Sequence, residues 1–173
     1  MIGVLLVDDQ ALFRKMLAIA LGRQAGIAVL GQCADGTEVP AAAQRLRPDV
    51  VLMDLHMANT SGVQATRELL TAQPTACVII LTASPTKSAI TEAADAGAAG
   101  YLHKGGDLEE VASAIRVVAS GGAVWPHAHR TAGLGRAPNF EGVTAIVVQN
   151  VFRRSRVPIR TSPHGGGLGT GLL

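Results

Sequence analysis

The most constraining feature of the sequence is a fivefold alternation between two kinds of segment. Short apolar runs rich in β-branched residues are each followed by a longer stretch rich in alanine and leucine. Short, nearly continuous apolar runs are typical of strands that are covered on both faces. Five β-then-α units predict a doubly wound α/β fold, in which five helices flank a five-stranded parallel sheet. The predicted strands are Val4–Val7, Ile27–Leu30, Val50–Met53, Val78–Leu81 and Gly100–Leu102.

The predicted helices carry apolar residues at intervals of three and four, as amphipathic helices do. In the first helix, Leu12, Met16 and Ile19 mark the face that we expect to cover the sheet. Gly97 is placed to end the fourth helix, and Asp107 is placed to cap the fifth. The predicted helices are Ala11–Leu21, Val39–Leu46, Val63–Ala72, Ser88–Ala96 and Leu108–Ala119.

The start of the second predicted helix has two possible registers. Asp35–Glu38 has the pattern of a capping box, which would place Pro40 inside the helix. Pro40 is better accommodated at the first helical position, in a helix that begins one turn later. The sequence leaves both registers open.

Polar residues follow the predicted strands at the edge of the sheet where the carboxyl ends of parallel strands meet. Asp8 and Asp9 follow the first strand, and Asp54 follows the third. Thr82 follows the fourth strand, and Lys104 comes soon after the fifth. Three carboxylates in one pocket repel each other unless a cation joins them, and oxygen ligands favour Mg²⁺. Such a pocket, with a lysine and a hydroxyl, suits phosphoryl transfer to a carboxylate.

Four motifs occur in order along the chain at these strand ends: Leu5–Asp9, Val51–Met57, Ile80–Ala83 and Tyr101–Lys104. Together they resemble a response-regulator receiver domain of two-component signalling, which has a flavodoxin-like fold. Asp8–Arg14 and Gly100–Gly105 are similar to the LuxR/NarL-type branch, whose members usually carry a helix-turn-helix output domain behind the receiver. The resemblance covers about residues 1–126.

The resemblance implies a phosphoacceptor and a set of metal ligands. Asp54 would accept the phosphoryl group. Asp8 and Asp9 would bind Mg²⁺ directly or through water. Asp54 itself and the backbone carbonyl of His56 would complete the ligands that the protein supplies.

The resemblance also implies how the phosphorylated state is sensed. Thr82 would donate its hydroxyl to the phosphoryl group, and Lys104 would pair with a phosphoryl oxygen. Tyr101 would turn inward when Thr82 moves, which would alter the surface of the fourth helix, fifth strand and fifth helix. Ala58 departs from the family pattern, which commonly has proline there, but the change removes no functional group.

The implied function is a phosphorylation-dependent conformational switch and not an enzyme that turns over an outside substrate. A sensor histidine kinase would supply the phosphoryl group, and a homodimer on phosphorylation is a further expectation. A Mg²⁺-dependent phosphatase of the dehalogenase type also uses an aspartyl nucleophile. That class requires a second acid two residues after the nucleophile, where this chain has His56.

The composition changes near residues 121–126. Residues 1–126 carry nine basic and twelve acidic side chains, whereas residues 127–173 carry six arginines against Glu141 alone. Ten of the 20 glycines lie in the last 53 residues. We therefore predict a receiver domain over residues 1–120, followed over residues 121–173 by a linker and a poorly structured basic tail rich in glycine, arginine and proline.

The tail lacks the pattern of a helix-turn-helix output domain. Such a domain needs several amphipathic helices over about 60 residues, and 47 residues follow Pro126. The tail is either a segment without evolved structure, such as an out-of-frame or truncated remnant, or a disordered basic segment that contacts nucleic acid through phosphates. DNA binding is not expected of this chain, and a DNA-binding regulator with a truncated or replaced output domain is the alternative.

Several features favour a cytoplasmic protein with no membrane contact. No apolar run approaches the roughly 18 residues of a membrane span. Met1 leads directly into apolar residues without the basic region of a secretion signal. Cys33 and Cys77 are too few for a disulfide framework, and we expect them as small buried side chains in a reducing compartment.

Overall fold

A computed structural model describes residues 1–126, and the expectations for residues 127–173 lie outside the described part of the chain. Five strands alternate with five helices, as the sequence predicts. The strands are Ile2–Val7 (β1), Ile27–Cys33 (β2), Val50–Asp54 (β3), Val78–Thr82 (β4) and Gly100–His103 (β5). The helices are Ala11–Gly22 (α1), Val39–Leu46 (α2), Gly62–Ala72 (α3), Lys87–Asp95 (α4) and Leu108–Ala119 (α5).

The sheet is fully parallel, with the strand order β2-β1-β3-β4-β5. Alternate residues of each strand point to opposite faces, because the side-chain period of a strand is two. Leu5 and Val7 join one core cluster with α2, α3 and α4, whereas Val4 and Leu6 join a second cluster with α1 and α5. The predicted doubly wound α/β fold is therefore confirmed.

The face of α1 that covers the sheet differs from the prediction. Leu12, Met16 and Ile19 are 74%, 62% and 60% exposed, so the prediction that they face the core was wrong. Leu21 is instead fully buried, and Leu17 packs against the same core cluster. The helix is apolar on most of its circumference, so the spacing of its apolar residues does not select one face.

The capping box and the later start of the second helix are both present. Asp35 and Glu38 form a capping box around a short 3₁₀ helix, Gly36–Glu38. Helix α2 begins directly after it, and Pro40 is its second residue. The predicted cap of α5 is confirmed, since the side chain of Asp107 accepts the Glu110 N–H at 2.9 Å.

The chain continues to pack on the sheet after α5. Val124 is buried, its N–H donates to the Ala99 carbonyl, and its carbonyl accepts the Tyr101 N–H. The boundary at residue 120 stays a prediction.

No helix within residues 1–126 has both the length and the apolar character needed to cross a membrane.

Burial raises the pKa of the Cys33 thiol to about 11, which keeps it protonated at neutral pH.

Candidate metal and phosphoryl site

Three carboxylates meet at the carboxyl edge of the sheet. Val7 of β1 pairs with Met53 of β3, so the residues that follow, Asp8 and Asp54, lie side by side. One oxygen from each of Asp8, Asp9 and Asp54 lies within 4.8 Å of the others. Asp8 and Asp54 are buried, whereas Asp9 is exposed. The sequence predicted this grouping because all three residues stand at the ends of neighbouring strands.

Lys104 reaches into this carboxylate cluster from the end of β5. Its Nζ lies 2.8 Å from Oδ2 of Asp8 and 3.0 Å from Oδ1 of Asp54. Its backbone N–H donates to the Thr82 carbonyl at 2.7 Å, which fixes the start of the side chain. The ammonium group also lies 4.9 Å from the centre of the Phe13 ring, within the range of a cation–π contact. One buried cation therefore faces two buried carboxylates.

The pocket around Asp54 brings together three carboxylates and the ammonium group of Lys104. Burial raises the pKa of Asp54 above its usual range, and the charge of Asp8 adds to this rise. Lys104 and the backbone of His56 act in the opposite direction without cancelling it. Among the described residues, Oδ2 of Asp54 has no hydrogen-bond partner although it is buried. A metal ion bound by Asp8, Asp9 and Asp54 would offset both features, so the carboxylate oxygens present fit such an ion.

Thr82 and Tyr101 occupy neighbouring strands beside the cluster. The hydroxyl of Thr82 accepts the Ser84 N–H at 3.2 Å. Tyr101 is already turned inward, with 1% of its surface exposed. Burial raises the pKa of its phenol, and the Thr82 side chain and the Thr86 backbone partly offset the rise. The switching role of Tyr101 stays a prediction.

The loop between β3 and α3, residues 55–61, carries His56 beside the cluster. The Leu55 N–H donates to the Leu81 carbonyl, and the Gly62 N–H donates back to the Leu55 carbonyl, each at 2.9 Å. Gly62 is held so close to β3 that a Cβ atom on it would lie 2.1 Å from the Asp54 carbonyl oxygen. A side chain at this position is therefore excluded. The use of the His56 carbonyl as a metal ligand stays a prediction.

Two further side chains contact the site without having been assigned a role from the sequence. The guanidinium of Arg14 donates to the Asp8 carbonyl, and Phe13 lies beneath the ammonium of Lys104. Both stand in the first turn of the helix that follows the paired acids. Their position next to Asp8 and Asp9 is the signal in the sequence that could have marked them.

Comparison with known proteins identifies the family. The sequence model of the family described as the response regulator receiver domain matches residues 4–116 of this chain. The chain belongs to the response regulator receiver domain family. It is 43% identical over 121 residues to the response regulator GacA of Pseudomonas aeruginosa, in an alignment that covers 70% of this chain and 56% of GacA.

Solved structures of receivers have the same fold. A LuxR-family two-component response regulator from Aurantimonas is 30% identical, with a TM-score of 0.68, and the match covers 70% of this chain and 86% of that one. The signal receiver domain of NarL from Mycobacterium tuberculosis is 28% identical, with a TM-score of 0.66 and coverage of 69% and 97%. The neighbours include the LuxR and NarL types that the motifs resemble. The chain spans about half the length of the curated relatives that it matches.

Proposed function

We propose that this receiver is a Mg²⁺-dependent phosphoryl switch in which Asp54 is the phosphoacceptor. The observation that carries the proposal is the set of charges around Asp54. Two further carboxylates suited to a divalent cation each have an oxygen within 4.8 Å of an Asp54 oxygen, and the ammonium of Lys104 lies 3.0 Å from Oδ1 of Asp54. Bound Mg²⁺ would supply positive charge to the carboxylates and to the incoming phosphoryl oxygens.

The proposed donor is a phosphohistidine of a sensor histidine kinase. A carboxylate oxygen of Asp54 attacks phosphorus, and the bond between phosphorus and the imidazole nitrogen breaks. The electron pair of that bond leaves with the imidazole, and Lys104 balances charge on a phosphoryl oxygen. Water later attacks the same phosphorus, which releases inorganic phosphate and restores the Asp54 carboxylate. The protein thus modifies itself and does not turn over an outside substrate.

The proposed output is a change in the surface formed by α4, β5 and α5. The Thr82 hydroxyl exchanges its bond from the Ser84 N–H for one to the phosphoryl group. Tyr101 is buried on β5, the strand that pairs with the strand of Thr82. Homodimer formation on phosphorylation and a cytoplasmic location belong to the same proposal.

Labelling by acetyl phosphate in the presence of Mg²⁺ tests the assignment of Asp54. Asp54→Asn abolishes labelling, because an amide cannot act as the nucleophile. Asp49→Asn is the matched control, five residues earlier at the opposite end of β3. Its carboxylate accepts the Gly3 N–H at 2.7 Å and has no part in the cluster. We expect Asp49→Asn to be labelled as well as wild type, and equal labelling of Asp54→Asn would rule out the assignment.

A DNA-binding transcriptional regulator is the second candidate function. The observation in its favour is that the similar curated proteins include some named as transcriptional regulatory proteins, of which this chain spans about half the length. A gel shift with the full chain separates the two candidates. The receiver proposal predicts no binding that is both sequence-specific and stable at physiological salt, and a preferred DNA sequence under those conditions would favour the second candidate.

A further inference from the structure

A third buried carboxylate, Asp35, lies outside the acidic cluster and ties two loops together. The side chain of Asp35 accepts four hydrogen bonds, two on each oxygen. Oδ1 accepts the N–H and the hydroxyl of Thr37, at 2.9 and 2.8 Å. Oδ2 accepts the backbone N–H and the side-chain amide of Asn59, both at 3.2 Å. We call this set of three residues the Asp35 clamp.

The Asp35 clamp joins the end of β2 to the middle of the loop that carries His56. Asn59 is three residues after His56. Leu55 at the start of the loop is hydrogen-bonded to Leu81 of β4, and Gly62 after the end of the loop is hydrogen-bonded to Leu55. The loop contains no proline, so no ring restricts its φ angles. The two hydrogen bonds from Asn59 to Asp35 therefore restrain the part of the loop that its ends leave free.

Close packing at Gly36 supports the same connection. A Cβ atom on Gly36 would lie 2.7 Å from Cβ of Ala65 in α3, 2.8 Å from Cγ2 of Thr60 and 3.2 Å from Cε of Met57. The last two contacts are made by side chains of the loop. The glycine lets the Asp35 segment approach the loop closely enough for the Asp35 carboxylate to reach Asn59.

We propose that Asp35 is a positioning residue for the metal site, which holds the loop so that the His56 backbone faces the Asp54 carboxylate. The inference rests on the proposed function of the site. It assigns to Asp35 a role beyond capping the 3₁₀ helix, because only one of its two oxygens is used by the cap. Hydrogen bonds from Thr37 and Asn59 hold the pKa of Asp35 below its usual range. The group is therefore an ionised acceptor at neutral pH and can take all four donors.

Asp35→Asn separates the two roles of this carboxylate. Asparagine caps a helix about as well as aspartate, so the bonds to Thr37 survive. The side-chain NH₂ group of the introduced asparagine then faces the backbone N–H and the side-chain amide of Asn59. Donors face donors, so no hydrogen bond forms and the link to the loop is lost. The matched control is Thr37→Val, which removes one hydrogen bond from the capping oxygen and leaves the loop link in place.

The measurement is the Mg²⁺ affinity of the full chain, from calorimetric titration, together with the melting temperature in EDTA. Loss of a group that orients a metal ligand typically weakens affinity 10–100-fold, so we expect Asp35→Asn to bind Mg²⁺ about tenfold more weakly. Thr37→Val should bind as wild type does. The double variant Asp35→Asn, Asn59→Asp should regain part of the affinity, because the amide introduced at position 35 can donate to the carboxylate introduced at position 59.

The outcomes separate this inference from the proposal on which it rests. Wild-type Mg²⁺ affinity retained in Asp35→Asn, with or without a lower melting temperature in EDTA, would show that Asp35 is only a structural cap. An equal loss of affinity in Thr37→Val would also overturn the role, because the effect would then come from the cap. If wild type itself binds no Mg²⁺, the proposed function fails and this inference fails with it.

Discussion

The two edges of the sheet are built by different means. At the amino edge, where helices lead back into strands, the turns depend on backbone conformation. All residues with positive φ within residues 1–126 lie there: Gly26, Arg47, Gly97 and Gly121. At the carboxyl edge, where strands lead into helices, side-chain oxygens cap the 3₁₀ helix, α3, α4 and α5, whereas α1 and α2 have no side-chain cap. These caps are Asp35, Ser61, Thr86 and Asp107.

This difference separates what the fold requires from what the site requires. A left-handed turn contributes no charge and ends a helix with backbone groups alone. A side-chain cap brings a polar group to the edge where Asp8, Asp54 and Lys104 are buried. Substitutions at the amino edge should therefore change stability and leave phosphorylation intact. Substitutions of the site residues at the carboxyl edge should change phosphorylation and Mg²⁺ binding.

Glycine substitutions at the two edges should give the largest contrast. Gly62→Ala brings a methyl group against the Asp54 carbonyl oxygen, and overpacking of this kind lowers the free energy of unfolding by about 3 kcal/mol. The backbone must move to make room for the methyl group. Because this movement displaces Asp54, labelling by acetyl phosphate should fall sharply. Gly26 has φ +81° and open space around it, so Gly26→Ala should cost only about 1 kcal/mol of backbone strain. Urea unfolding and labelling measure both effects, and a loss of labelling in Gly26→Ala would break the comparison.

Lys104→Met should slow labelling without removing the nucleophile. Deleting one preorganised positive group from a site of developing charge costs at least about 100-fold in rate. Methionine keeps most of the volume beside Phe13. The control is His103→Ala, the neighbouring exposed side chain, whose ring contacts the Ala83 carbonyl. Initial rates with acetyl phosphate give the result, and an unchanged rate in Lys104→Met would contradict the role of the lysine.

Mg²⁺ should stabilise the folded chain by binding to the carboxylates at the carboxyl edge. Free Mg²⁺ at about tenfold above its dissociation constant adds ~1.4 kcal/mol to the free energy of unfolding, because only the folded state binds it. Asp9→Ala should remove this gain. Asp95, an exposed carboxylate at the end of α4 near the amino edge, provides the control Asp95→Ala. Melting curves in Mg²⁺ and in EDTA measure the gain, and a melting temperature that Mg²⁺ does not move in wild type would count against a metal site.

Removal of residues 127–173 should have the smallest effect. Every strand and helix of the sheet and every side chain of the site lies within residues 1–126. The shortened chain should melt and be labelled as the full chain is. Limited proteolysis of the full chain should stop at a resistant core that ends near residues 121–130. Resistance of the entire chain would show that the tail contributes a folded part that the sequence pattern does not reveal.

The sequence predicts the strands and the acidic cluster because both depend on local patterns. Each apolar run is followed at once by its polar residue, so finding β1 and β3 also places Asp8 and Asp54 together. The face of α1 could not be predicted in the same way. Leu12 and Leu21 are both apolar, and only the packing of α1 against the sheet decides that the first is exposed and the second buried.

The Asp35 clamp shows a second limit of sequence patterns. The capping box predicts the bonds of Asp35 within its own turn, because the partners lie two and three residues away. Asn59 is 24 residues away and shares no periodic pattern with Asp35. Their contact depends on how closely two loops approach across the edge of the sheet. The bifunctional role of Asp35 is therefore visible only in three dimensions.

In the proposed switch, Asp54 alone carries the phosphoryl group. The most direct test is to phosphorylate the chain with acetyl phosphate and Mg²⁺, reduce the acyl phosphate with borohydride, and locate the modified residue by mass spectrometry. We expect reduction of Asp54 to homoserine, dependent on Mg²⁺ and absent when acetyl phosphate is left out. Modification of Asp8, Asp9 or Asp49 in its place, or an unmodified Asp54 in a labelled chain, would contradict it.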